Sequence, residues 1–118
     1  MNTPPSLAST AILVTRDGMG TADAELQHRL LRTYLSLLIE GDLLPAAICF
    51  YTEGVRLVTD GSPVLDLLKT LESKGVHLIV CSTCLNYFGL TGQVRVGIVG
   101  GMPDIIEMQM RAEKVITI

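Results

Sequence analysis

Ala11-Ile12-Leu13-Val14-Thr15 is a continuous apolar run carrying β-branched residues. A strand with one wet face alternates apolar and polar side chains. A run without alternation reads as a strand covered on both faces, the kind found in parallel sheets. The loop Arg16-Asp17-Gly18-Met19-Gly20 follows. The pattern then predicts a helix from Thr21 to Glu40, with Leu26, Leu30, Tyr34 and Leu38 at four-residue spacing. Asp23 and Glu25 suit the positive end of its dipole, and Gly41 supplies the stop.

The same alternation continues outward. Ala46 to Tyr51 predicts a second buried strand, and Glu53 to Thr59 either a short strand or a turn. Ser62-Pro63 predicts a helix start, with Ser as N-cap and Pro in the first turn. Val64, Leu67, Leu68 and Leu71 form its inner stripe and Gly75 ends it. Val76 to Cys81 is the third predicted strand, running into a short helix that ends near Gly89. A fourth strand is expected around Val94 to Gly97, followed by a Gly-rich turn, Gly97 to Gly101. The last helix starts near Pro103, with Met102, Ile105, Ile106 and Met110 facing inward, and Lys114 to Ile118 is the fifth strand. Strand and helix alternate throughout, so the expected fold is α/β: a three-layer sandwich with a mainly parallel five-stranded sheet. Residues 1–10 read as a Pro-, Ser- and Thr-rich tail, and residues 11–118 as a single domain.

Bulk composition narrows the function. The 118 residues suffice for one core, and 48% are hydrophobic against 18% charged. Surplus apolar side chains on so small a body predict a homo-oligomer. The net charge is −3 and the aromatic content 4% with no tryptophan, which removes both the basic face and the stacking platform of a nucleic-acid binder. No run of about 18 apolar residues predicts a membrane span, and no basic start with a long apolar run marks a signal peptide, so a cytoplasmic location is expected.

Chemistry in such sheets gathers beyond the carboxyl ends of the strands. Three loops leave strands in that sense: 16–20, 51–54, and 82 onward. Cys81 ends a strand and Cys84 stands in the first turn of the short helix after it, a CxxC spacing. A thiolate there meets free N–H groups at a helix start, and the second sulfur is close enough to resolve an oxidised or persulfidated first one. This favours Cys81 as nucleophile with Cys84 as helper. Zinc wants four ligands, and His28 on a helix with His77 in a strand supplies no second pair; no metal and no cofactor are expected. Two inert thiols are the competing reading. Cys49, inside Ile48-Cys49-Phe50-Tyr51, reads as a small buried hydrophobe. Gly97 to Gly101 matches neither a dinucleotide fingerprint nor a P-loop and reads as close packing, while Asp17, Asp23 and Glu25 read as helix-capping acids.

The segment Ile79-Val80-Cys81-Ser82-Thr83-Cys84-Leu85-Asn86-Tyr87-Phe88-Gly89-Leu90 resembles the YedF-like branch of the DsrE-like sulfur-relay family. Leu13 to Gly20, Gly54 to Leu57, Val96 to Val99 and Ala112 to Thr117 resemble it too. The resemblance implies a DsrE-like fold assembled into trimers or hexamers, and a sulfurtransferase-like role with sulfane sulfur held as a persulfide on a strand-end cysteine. It also implies a link to selenium metabolism. In the wider family that cysteine precedes a glycine by eight residues, as Cys81 precedes Gly89; Cys84 is the addition of the branch. Many YedF-like proteins carry an upstream TusA-like domain that is not in this sequence, so a protein donor or acceptor, TusA-like among them, is expected to act in trans. Asn86 stands where an acid is usual, altering the charge near the thiols. The function expected is a persulfide carrier or sulfurtransferase-like relay protein. The alternative is a non-catalytic oligomeric binding or redox-regulatory domain.

Overall fold

The structure, a computed structural model, describes residues 9–118. Five strands form one sheet: β1 (Thr10–Val14), β2 (Ala47–Phe50), β3 (His77–Cys81), β4 (Ile98–Gly100) and β5 (Lys114–Thr117). Their order is β4-β3-β2-β1-β5 and every pairing is parallel. The expected mainly parallel sheet is therefore wholly parallel. β1 and β2 are buried along their whole length, as runs without alternation require, whereas β4 and β5 are edge strands and stay largely exposed. Of the tail expected over residues 1–10, residues 1–8 lie outside the described residues. Thr10 opens β1, paired with Lys114, and the Ser9 carbonyl accepts the Glu113 N–H at 2.9 Å.

Four helices connect the strands: α1 (Ala24–Glu40), α2 (Leu65–Ser73), α3 (Ser82–Tyr87) and α4 (Met102–Arg111). Asp23 caps α1 by accepting the Leu26 N–H at 3.0 Å. The four-residue spacing read for α1 drifts off its inner face, because 3.6 residues make a turn. Leu31 and Leu35 are the buried pair, and Leu26 and Leu30 lie near half exposure. The start of α2 falls later than Ser62-Pro63 predicts. The Ser62 hydroxyl accepts from Val64 N–H in a turn ahead of the helix, and Val64 takes the cap position. Val64, Leu68 and Leu71 do point inward.

The fourth strand is also displaced. Val94 makes a lone antiparallel bridge to Thr59, and Arg95 N–H donates to the Val58 carbonyl. These bonds hold the stretch expected as a strand against the 3-10 turn Thr52–Val58. The chain reaches the sheet only after Gly97, so Ile98–Gly100, read as part of a turn, is β4. The inward stripe expected of α4 is likewise narrower than predicted. Ile105 is buried, but Met102 and Ile106 are near half exposure and Met110 is 80% exposed.

The order of strands fixes where a site can form. Steps β1 to β2, β2 to β3 and β3 to β4 run in one direction, so right-handed crossovers put their connections on one face. Contacts agree: α1 packs on α2, and Gly97 N–H donates to Glu72 of α2 at 3.0 Å. The return from β4 to β5 spans the sheet the opposite way and carries α4 over the other face. The two faces thus part company between the ends of β3 and β4, where Cys81 stands level with Gly100. In an open α/β sheet this is the crevice where ligands bind.

The segment after β2 tucks under the end of β1. Tyr51 N–H donates to the Val14 carbonyl at 3.1 Å, and a Cβ at Gly54 would fall 2.1 Å from that oxygen. Backbone cannot yield there as a side chain can. Gly54→Ala is expected to lower stability by about 1–3 kcal/mol in urea denaturation, the usual cost of overpacking. Gly92→Ala, where an added Cβ meets nothing within 4 Å, should stay within about 0.5 kcal/mol. Equal effects would contradict the close approach.

Candidate functional site

Cys81 is the last residue of β3 and the N-cap of α3, so the strand passes into the helix with no intervening loop. α3 is six residues long and closes by two bonds: Gly89 N–H to the Asn86 carbonyl at 3.1 Å, and Leu90 N–H to the Leu85 carbonyl at 2.8 Å. That closure needs a left-handed residue after the cap, and Gly89 has φ +69°. The eight-residue interval from Cys81 to Gly89 is therefore one short helix with its two ends.

The two sulfurs are unequally placed. Cys81 is 2% exposed, whereas Cys84 is only partly buried. The Cys81 thiol is close enough to Cys84 to act on its ionisation. Cys84 Sγ also accepts the N–H of Thr52, at 3.0 Å, from the segment after β2. The Cys81 side chain caps no N–H at the start of α3; the donor is instead an amide from the neighbouring strand end, and sequence reading missed Thr52. Its signal was the adjacency itself: parallel β2 and β3 must bring 51–54 beside 81–84.

Around this pair the 3-10 turn and α3 are clamped together. The Arg56 guanidinium sits 4.5 Å from the centre of the Phe88 ring while its Nε donates to Glu53 at 2.6 Å. Tyr87 meets Phe88 edge-on and is 84% exposed, one helical turn beyond Cys84. Beside Thr52 lies an open polar groove of about 460 Å³ lined by Thr15, Arg16, Asp17, Gln27, Thr52 and Glu53. The other residues singled out by sequence are elsewhere. His28 faces Asp17 at 3.3 Å, and His77 is exposed at the opposite end of β3. Gly101 N–H donates to Asp104 at 2.8 Å, in keeping with packing of α4 at its start. Among the described residues no three His, Cys, Asp or Glu side chains gather as metal ligands, and no helix is long and apolar enough to cross a membrane.

The sequence profile of the DsrE/DsrF-like family matches residues 8–118, nearly the whole chain. The chain belongs to that family. Members of the DsrE/DsrF-like family generally work in sulfur relay with protein partners. Among solved structures, YchN from E. coli superposes with a TM-score of 0.66 at 17% identity, covering 92% of this chain and 98% of that one. MTH1491 from Methanobacterium thermoautotrophicum gives 0.66 at 22% identity, with 92% and 97% covered. BT1422 from Bacteroides thetaiotaomicron gives 0.69 at 16%, with 98% and 100% covered. These likenesses establish the shared DsrE-like fold. No curated protein matches the chain.

Within this DsrE-like framework, opposing effects act on Cys84. Burial raises its thiol above the ordinary cysteine range, the Thr52 amide opposes that rise, and the neighbouring Cys81 adds to it. Cys49, in the middle of β2 and 0% exposed, is pushed up by burial to about 11 and has no route to solvent. Alkylation by iodoacetamide should therefore fall first on Cys84 and accelerate as pH climbs, because the thiolate is the nucleophile. Cys81→Ala removes one of the raising causes, so the midpoint of that pH–rate curve should move down. A midpoint that stays or rises would contradict contact between the thiols.

Proposed function

We propose that the protein is a cysteine-based sulfur carrier of the sulfurtransferase-like kind, working through the Cys81–Cys84 pair. The observation that carries this reading is the partly open Cys84 sulfur, held by a backbone N–H with a second thiol behind it. A Cys84 thiolate attacks the outer sulfur of a donor persulfide, R–S–SH. The new S–S bond leaves Cys84–S–SH and releases R–S⁻. An acceptor thiolate then attacks that outer sulfur, takes it as its own persulfide, and returns Cys84 as thiolate. One sulfur atom moves at each step with no net oxidation. If no acceptor comes, Cys81 attacks the inner sulfur, expelling HS⁻ and closing a Cys81–Cys84 disulfide. An external dithiol then reduces that disulfide to the two thiols and is itself oxidised to a disulfide.

This assignment departs from the sequence expectation, in which Cys81 attacks and Cys84 helps. Accessibility is the reason: an incoming donor meets Cys84 first. Cys81 acts here as the resolving thiol. Tyr87, projecting one turn from Cys84, supports a protein as donor or acceptor, since exposed aromatic side chains anchor protein contacts. Such a partner, TusA-like by the resemblance, would act in trans. The half-exposed apolar side chains of α4 and the exposed Ile98 of β4 support assembly with further copies. The resemblance of Cys81 to Leu90 to the YedF-like branch extends the reading to selenium chemistry.

Intact-mass spectrometry after treatment with a low-molecular persulfide donor is expected to show a gain of about 32 Da, lost on reduction. Cys84→Ser should abolish the gain, and Cys81→Ser should keep it while blocking the disulfide. Loading of Cys84→Ser at the wild-type rate would overturn the roles given to the two sulfurs. No loading of the wild-type protein, under conditions that load free thiols, would overturn the carrier reading and leave the binding or redox-regulatory domain. The raised Cys84 thiol is the observation that favours that second reading.

A further inference from the structure

Among the described residues two non-glycine residues have a left-handed backbone, Asp42 at φ 54° and Thr52 at φ 48°. Asp42 follows the end of α1 at Gly41, where a left-handed residue is ordinary and Asp tolerates it. Thr52 has no such excuse. A β-branched side chain in this region is disfavoured, and such conformations persist where surrounding structure forces them and function uses them.

The forces holding Thr52 are all visible. Its hydroxyl lies 2.6 Å from the Thr15 carbonyl oxygen and 2.7 Å from that of Tyr51, and its one proton is shared between these acceptors, tying the segment after β2 to the end of β1. Two residues on, Gly54 leaves no room against the Val14 carbonyl. On the other side, Arg56 on Phe88 fixes the same turn to α3. The outcome of these ties is a single N–H aimed at a single sulfur, 3.0 Å from Cys84 Sγ. That N–H belongs to the Tyr51–Thr52 peptide unit, which Tyr51 carries out of β2 in extended backbone; the left-handed turn at Thr52 then brings its hydroxyl back onto the preceding carbonyls.

We propose that Thr52 is a positioning residue of the sulfur site: its hydroxyl, set against the Thr15 and Tyr51 carbonyls, holds in place the peptide unit whose N–H stabilises negative charge on Cys84. This deepens the carrier reading and rests on it for its use, since the thiolate and the departing sulfur of each transfer carry that charge. The other titratable group acting on Cys84 is the Cys81 thiol at the end of β3. Glu53 and Arg56, on the turn itself, are paired with one another.

The test reads ionisation, not sulfur transfer. In a Cys49→Ala/Cys81→Ala background only Cys84 reports, and its iodoacetamide labelling rate is followed against pH. Thr52→Val keeps the shape, loses the hydroxyl and stays β-branched. It is expected to move the midpoint up and slow labelling at fixed pH below it about three- to ten-fold, the partial loss of a hydrogen bond whose N–H remains but is no longer held in line with the sulfur. Thr52→Ala should move it the same way, should the valine variant not fold. Thr52→Ser, which keeps the hydroxyl, should stay within about two-fold of the parent. A lowered melting temperature with an unmoved midpoint overturns the proposal, as does a serine variant shifted as far as valine. Failure to accept sulfane sulfur would overturn the carrier reading without touching this result.

Discussion

Parallel pairing of β2 with β3 is the constraint on which the site depends. Phe50 stands level with Val80, so the two strands finish together and their exits leave side by side. Cys84 can accept from Thr52 only because of that shared finish. An antiparallel neighbour would carry its exit to the far end of the sheet, some 15 Å away for strands of this length. The direct passage of β3 into α3 then adds the second sulfur. A loop between them would let Cys81 and Cys84 drift apart; one residue serving as strand end and helix cap does not.

The chemistry at Cys84 is a contest between burial and one hydrogen bond. Reactive cysteines are usually activated by a cation, a histidine or a long helix. Here the nearby cation, Arg56, is committed to Glu53 and to the face of Phe88, and α3 has only six residues. What remains is the Thr52 amide, set against burial and a neighbouring thiol. Burial and the Cys81 thiol raise the Cys84 thiol, and the Thr52 amide is the one group that works the other way.

Legibility in the sequence followed burial. β1, β2 and β3 are covered on both faces over most of their length, so their apolar runs carry no competing message, and Cys81 was placed at a strand end from the sequence alone. β4 was misplaced because an edge strand of three residues, Ile-Val-Gly, between glycines looks like a turn, while Val94 to Val96 looks like a strand. The decision between them lies in tertiary bonds from Val58 and Thr59, thirty-odd positions away. The α4 stripe was overread for a related reason: apolar spacing says that a face avoids water, not which neighbour covers it. The pairing of β2 with β3 places Thr52 beside the cysteines, but nothing about a threonine in a loop announces its left-handed backbone.

The exposed apolar side chains of β4 and α4 bear on the sulfur site through distance. β4 is the outer strand, and Gly100 is level with Cys81 on the strand next to it. Neighbouring strands lie about 4.8 Å apart, so any surface that covers the β4 edge stands within two strand spacings of the cysteine pair. Exposed edges with apolar side chains are a liability that native proteins cover or blunt, and Ile98 and Val99 do neither. The groove between β3, β4 and α4, about 410 Å³ and lined by Leu78, Ile79, Ile98, Val99, Asp104 and Met108 among others, has no cysteine in its wall and is the more apolar of the two. The polar groove beside Thr52 lies instead at the ends of β1 and β2, on the inner side of the two thiols. An apolar groove thus lies on the outer flank of the cysteine pair and a polar one, beside Thr52, on its inner flank.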